Sequence, residues 1–285
     1  MSFDEDLPFG DDDAPSSSAP TTAHAPVEVL TCDPDGTHHF SHLKRLALSG
    51  KQYIHAVNTR KPPSPAMLIG TAVHAMVLGG RPGKRVLRYD GDARKGGAWK
   101  AYQAANPGAE ILTAPEWDQA AACARAVLAD PLARARLDGA RFEVPLAWEE
   151  DGIKFSTGGV DIVGGGAIGD LKTCSTCEPG ALQRQAFKMF YHCQLAFYRR
   201  GARANGLDVS RGLFLLCVET QGPHEVVDLE LSEGLIDLAD RTVSLWIEKL
   251  RIYRDADQWP GYAQSPIPWD VPGWMRDDDD EEGDL

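Results

Sequence analysis

The chain has no uninterrupted apolar run near the ~20 residues that a membrane helix requires, so no part is expected to span a bilayer. Positive charge is also short, with 29 Lys and Arg against 42 Asp and Glu and a formal net charge of −13. The shortage is local. Residues 1–13 carry six acids and no base, and residues 277–285 carry seven acids and no base, which accounts for the whole deficit. The stretch between them holds 29 of each sign, so contact with a polyanion must come from local basic patches. Cysteine is scarce too, six in 285 residues, and only Cys174 and Cys177 have a C-x-x-C spacing. A structural zinc site would want a second pair or histidines at ligand spacing, and none is evident. The thiols are expected to be reduced, as in a cytoplasm, and the acidic opening is not the charge pattern of a secretory signal.

Residues 1–27 consist largely of acids, Ser, Thr, Ala and Pro, too poor in apolar surface to offset ordering entropy, and are expected to be disordered. Residues 261–285 form a Pro/Trp segment that ends in "MRDDDDEEGDL", expected to be disordered through self-repulsion as well. One domain, residues 28–260, is expected between them, without internal repeats. Ser64-Pro65 marks a helix start, and the apolar "AMLIGTAVHAMVLGG" runs on to Gly79-Gly80. A basic loop follows, "RPGKRVLRYDGDARKGGAWKAY". Thr113 and Glu116 spell a capping box that opens an alanine-rich helix, interrupted at Pro131. Three strand-like runs, "RFEVPLAWEE", "IKFSTGGVDIV" and "AIGDLKTC", meet at the hairpin signals Asp151-Gly152 and Gly164–Gly166. A helix over about Ala181–Asn205, two more strands and an amphipathic helix from Ser232 to about Ala256 complete an α/β sandwich with a mixed sheet.

The chemistry concentrates in "GGVDIVGGGAIGDLKT", residues 158–173. Residues two apart on a strand share a face, so Asp170 and Lys172 point the same way. If the glycine turn pairs the strands, Asp161 converges on Asp170 at one sheet edge, with an ammonium beside them. Two such carboxylates repel unless a cation neutralises them, and hard oxygen ligands suit Mg²⁺ or Mn²⁺. The same letters admit two plainer explanations. Gly164-x-Gly166-x-x-Gly169 spells a dinucleotide fingerprint, but the last glycine runs into a strand where that motif needs a helix. Asp161 and Asp170 also fit turn residues, with Lys172 their surface partner. His74 lies mid-helix in apolar company, where a packed core histidine is the ordinary outcome. Gln194 and Tyr198, four apart in "YHCQLAFYRRGAR", share a helix face.

Together "GTAVHAMVLGG", "ARKGGAWKAY", "ARFEVPLAWEEDG", "GGVDIV", "GDLKT" and "YHCQLAFY" occur in an order that resembles the RecE-type exonucleases (exodeoxyribonuclease VIII) of the PD-(D/E)XK superfamily, over roughly residues 60 to 260. The resemblance implies a restriction-nuclease-like fold, a mixed central sheet flanked by helices, with a Mg²⁺ or Mn²⁺ site. It implies His74, Asp161, Asp170 and the Leu171 carbonyl as metal ligands, and Lys172 as the lysine of the D-x-K signature. Gln194 and Tyr198 match the Q-x-x-x-Y helix, and Glu143 matches a recurrent acidic residue on the first strand. There is a departure: relatives usually carry Arg or Lys two residues before the first aspartate, where this chain has Gly159. Lys154 is a candidate substitute.

The implied activity is degradation of one strand of linear duplex DNA from a free end, 5′ to 3′, supplying single strands to an annealing protein. A ring-shaped homo-oligomer is implied, in the cytoplasm of a bacterium or phage-infected host. An endonuclease of the same fold, or a catalytically weak DNA-binding scaffold, are the alternatives. Phosphate contacts are expected from the loop after the His74 helix, which includes Arg81 and Lys84, with Arg94 and Lys95 singled out, and from Arg199 and Arg200 beyond Tyr198. Trp99 or Tyr102 could stack on a base, although packing on the body is the commoner arrangement. "FDEDLPF", Phe3 to Phe9, resembles the acidic, aromatic tip of single-stranded-DNA-binding proteins.

Overall fold

The computed structural model describes residues 36–59, 62–81 and 83–271. The expected N-terminal tail with its Phe3–Phe9 segment, the first residues of the expected domain and residues 272–285 of the expected C-terminal segment lie outside them.

The described chain opens with α1 (Phe40–Leu43), a 3-10 turn (Lys44–Ala47), α2 (Gly50–Asn58) and α3 (Pro65–Leu78). Next come β1 (Val86–Tyr89), α4 (Gly96–Ala105), β2 (Glu110–Thr113), α5 (Ala114–Ala129) and α6 (Pro131–Leu137). The strands β3 (Arg141–Val144), β4 (Ala147–Glu150), β5 (Ile153–Ser156), β6 (Val160–Gly164) and β7 (Ala167–Cys174) follow. The rest is α7 (Pro179–Lys188), α8 (Tyr191–Ala204), β8 (Leu213–Glu219), β9 (Val226–Glu230) and α9 (Glu233–Ala256). The central sheet has the order β3-β6-β7-β8-β9, with β7 and β8 parallel and the other neighbours antiparallel. Leu68, Ile69, Ala72 and Val73 of α3 join Ala120, Cys123 and Val127 of α5 over Ile162, Leu171, Phe214, Leu216 and Val218 of the sheet. Helix α8 packs on β7 and β8, and α9 packs on α8. This is a mixed α/β fold with a central sheet flanked by helices.

Several starts and stops follow from local chemistry. The Ser64 hydroxyl accepts from the Met67 N–H, and Gly79, at φ 85°, ends α3 in the left-handed conformation. The Glu116 carboxylate accepts from the Thr113 N–H at 2.8 Å, the capping box that starts α5. Asp151 and Gly152 (φ 52° and 72°) and Gly165 and Gly166 (φ 56° and 77°) turn the two hairpins, as their sequence predicts.

Four expectations need correction. The expected helix over 181–205 is two helices, because Phe190 adopts φ 60° and packs edge-on against Trp246, 5.2 Å between ring centres. The run "RFEVPLAWEE" divides at Pro145, which has no N–H to offer a ladder, into β3 and β4. The run "IKFSTGGVDIV" divides where Thr157 bonds Leu146 through both backbone and hydroxyl. The three strand-like runs therefore form two ladders, β3-β6-β7 in the central sheet and a separate β4-β5 hairpin. The basic loop also holds structure: β1 pairs in parallel with β2, and α4 follows.

The glycines of the apparent dinucleotide fingerprint do structural work instead. A Cβ on Gly169 would lie 2.1 Å from the ring of Phe214, its register partner on β8, and Arg136 lies on that ring at 4.4 Å. The ring is held flat against the strand by what Gly169 lacks. Gly169→Ala is expected to cost about 1–3 kcal/mol through overpacking. At ~2–4 °C per kcal/mol for a domain of this size, thermal unfolding is expected several degrees lower. An unchanged melting temperature would contradict that packing.

Candidate active site

Strands β6 and β7 pair as far as Ile162 and Gly169. The same register carried one step further sets Asp161 opposite Asp170. Two residues beyond the last pair, the backbone of Leu171 is taken by side chains. Its N–H donates to Asp161 Oδ2 at 2.9 Å, and its carbonyl is 2.8 Å from Nε2 of His74. The apolar Leu171 side chain sits in the core while its backbone faces the polar site, which is how β7 serves both.

His74 Nδ1 is 3.6 Å from Asp161 Oδ2 and 3.7 Å from Glu143 Oε1. One ligand atom from each of His74, Glu143 and Asp161 lies within 4.8 Å of the others. Glu143 reaches the group from a strained backbone, at φ 49° on β3. Asp170, 1% exposed, forms an ion pair with the Lys172 ammonium, which also stands 5.0 Å from the Tyr191 ring centre. Arg81 is the residue that sequence reading assigned only loosely. Its Nε pairs with Glu143 Oε2, and its Nη2 is 3.5 Å from Asp161 Oδ1. His74, Arg81, Glu143, Leu171 and Lys172 line a cleft of about 580 Å³, with Met67, Gly70, Thr71, Lys84, Met189 and Tyr191 around them, while Asp161 and Asp170 are buried and outside that lining.

Charge crowding shifts the acids apart. Burial, then the neighbouring Asp170 charge, push the Asp161 carboxyl up to about 7. Burial also acts on Glu143, but the His74 hydrogen bond and the Arg81 charge outweigh it and hold its pKa below the ordinary value. Burial opposes the charges of His74 and Lys172, yet Asp161 and Glu143 hold the imidazole pKa up, as Asp170 and Asp161 hold the ammonium pKa up. Without a metal, the folded protein therefore keeps protons on Asp161 and His74 that the unfolded chain releases at lower pH. Stability falls as pH rises through that window, from about 4 to about 7 for Asp161. A divalent ion competes with those protons, so ion-induced stabilisation is expected to grow with pH. In scanning calorimetry, Mn²⁺ is expected to raise the melting temperature little near about pH 5.5 and markedly near about pH 8, relative to chelator. An equal rise at both would contradict it.

The other candidates divide. The Gln194 amide donates to the Tyr198 hydroxyl at 2.6 Å, and burial, followed by the Asp170 charge, raises the Tyr198 pKa. The pair stands behind Asp170 and Lys172 and is not among the cleft-lining residues. Arg94 holds both oxygens of Glu116 and anchors the α5 cap. Arg200 pairs with Glu150 and Asp240, joining α8 to β4 and α9. Both guanidiniums expected on DNA are thus paired within the protein in this structure. Arg199 is half-buried, and Lys95 is exposed at the start of α4. Trp99 and Tyr102 pack on Tyr89, at 5.2 and 5.3 Å between ring centres. Lys154 is exposed on the separate hairpin and is not among the cleft-lining residues.

None of the curated proteins matches the chain in sequence. Among solved structures, a presumed exonuclease from Eubacterium rectale superposes with a TM-score of 0.57 at 16% identity, over 85% of this chain and 92% of that one, a likeness of fold. Among protein families, residues 39–265 match the PDDEXK-like domain of unknown function (DUF3799). That span takes in every residue of the cleft, and the chain belongs to this PDDEXK-like family.

Proposed function

We propose that the protein is a divalent-metal-dependent nuclease that hydrolyses phosphodiester bonds of DNA. The observation that carries this reading is the parting of β6 and β7, where His74, Glu143 and Asp161 converge beside the Asp170–Lys172 pair. The donor set fits a hard cation: carboxylate oxygens, a backbone carbonyl and one imidazole suit Mg²⁺ or Mn²⁺ far better than a thiolate metal. Asp161, the Leu171 carbonyl and His74 would hold it, with Glu143 or Asp170 completing the set. Bound there, the ion would supply positive charge to the scissile phosphate and lower the pKa of a water.

The chain's own residues supply the rest. Lys172 presents a permanent cation where negative charge develops, and the half-buried setting keeps its field from being screened. Asp170 fixes that ammonium and offers a second carboxylate for orienting a water. The Gln194–Tyr198 hydrogen bond braces the wall behind them. Met67, Met189 and Tyr191 give the cleft apolar surface for sugars and bases, and none of the lining offers a base-reading pair, so sequence preference is expected to be low. The finer reading is an exodeoxyribonuclease that resects one strand of linear duplexes, 5′ to 3′, as a ring-shaped oligomer working with a single-strand annealing protein. The resemblance to RecE-type enzymes supports it.

End-labelled linear and closed circular duplexes incubated with Mg²⁺ or chelator test the proposal. Loss of the linear duplex alone, and only with Mg²⁺, is the expected result. Cutting of the circle would replace the exonuclease reading with an endonuclease, and survival of both would remove the nuclease reading.

A further inference from the structure

The chain lacks a side chain at Gly159, and the structure shows what stands in that space. A Cβ there would lie 2.6 Å from Glu143 Oε2, and φ is +154°, a conformation glycine tolerates. A Cβ on Gly158 would lie 3.2 Å from Nη1 of Arg81. The two glycines therefore make room for Glu143 and for the Arg81 guanidinium. Arg81 enters from the loop after α3, just past Gly79 and Gly80, both at positive φ. Its fork spans Glu143 and Asp161, two of the three residues of the candidate metal group. Its side chain keeps 32% of its exposure, so it is not locked inside the protein.

Charge balance gives this position a meaning. With Asp161 ionised and His74 neutral, the state in which they can hold a metal, Glu143, Asp161 and Asp170 contribute three negative charges, which Arg81 and Lys172 reduce to one. Adding a divalent cation while Arg81 stays would leave the site positive and place two cations on the same carboxylates, a costly arrangement at short range. With Arg81 withdrawn, the three carboxylates, Lys172 and the ion balance, and one guanidinium is left at the mouth of the cleft. A guanidinium so placed matches a phosphodiester oxygen pair.

Resting on the metal-site reading above, we propose that Arg81 is an exchangeable counter-ion. It holds Glu143 and Asp161 while the divalent ion is away, gives them up when the ion binds, and then binds a phosphate of the nucleic acid. The departure at Gly159 is thereby a relocation of the cation from strand to loop, with a second duty as competitor for the metal.

The test compares wild type, Arg81→Gln and Arg81→Lys in two binding measurements. Mn²⁺ affinity is read by calorimetry without DNA, and affinity for a short duplex is read by fluorescence anisotropy in Ca²⁺. Arg81→Gln is expected to bind Mn²⁺ about three- to tenfold more tightly, because the competitor is gone, and the duplex about tenfold more weakly. Arg81→Lys, which keeps the charge without the fork, is expected to lie between the two. A merely structural arginine would weaken both. Mn²⁺ affinity equal to or below wild type, or unchanged duplex affinity, overturns the proposal. If Arg81→Gln is unfolded in chelator, Mn²⁺ is expected to restore its near-UV circular dichroism, and failure to do so also overturns it. Absence of ion uptake by the wild type removes the metal-site reading itself, and this proposal with it.

Discussion

Asp161→Asn is expected to cut Mg²⁺-dependent hydrolysis of DNA by about a thousandfold, since loss of ~4 kcal/mol of metal-supplied stabilisation is nearly three factors of ten. The substitution is mild for the fold. An asparagine oxygen can still accept from the Leu171 N–H, the bond that Asp161 Oδ2 makes at 2.9 Å. It also removes a buried charge that Asp170 repels, so the variant is expected to melt above wild type in chelator near neutral pH. Lower activity with higher metal-free stability is a combination that misfolding cannot produce. Activity within tenfold of wild type would exclude Asp161 from the centre.

The second large effect is at Lys172. An ammonium ~4 Å from developing charge, at an effective dielectric of ~20, contributes about 4 kcal/mol, so Lys172→Met is expected to cost hundreds-fold in kcat. Methionine keeps the stem beside Tyr191 but leaves Asp170, 1% exposed, without its ion-pair partner. Stability is therefore expected to fall, the reverse of Asp161→Asn. Lys172→Arg is expected not to rescue the rate, because a planar fork does not occupy the place of a compact ammonium. Single-turnover rates with saturating duplex, measured well below each melting temperature, separate the chemical loss from the structural one. A wild-type rate in Lys172→Met would show that the D-x-K spacing is incidental.

What was legible in the sequence was the part that depends on neighbours along the chain. The Gly164–Gly166 turn, the shared face of Asp170 and Lys172, the Ser64 and Thr113 caps and the break at Pro131 are all local, and the structure has them. What was hidden depends on distant partners. Phe190 breaks its helix for a contact with Trp246, and nothing within its own window signals that. Arg94 and Arg200 read as free cations because their acids, Glu116 and Asp240, lie 22 and 40 residues away. Arg81 is the clearest case, separated by 62 residues from Glu143 and looking like one more charge in a basic loop. A signal did exist: two glycines at 158 and 159, where a cation was due, left a space for something else to fill. Glu143 was visible only through resemblance, since its convergence on His74 relies on a positive φ that no periodicity foretells.

The central claim is a divalent ion bound where β6 and β7 part. Crystals grown with Mn²⁺ and measured at the manganese absorption edge test it directly. A single strong anomalous peak is expected within coordination distance of Asp161 and the Leu171 carbonyl, with His74 beside it and Arg81 turned away. A cleft without such a peak at saturating Mn²⁺, with Arg81 still bridging Glu143 and Asp161, would contradict the account.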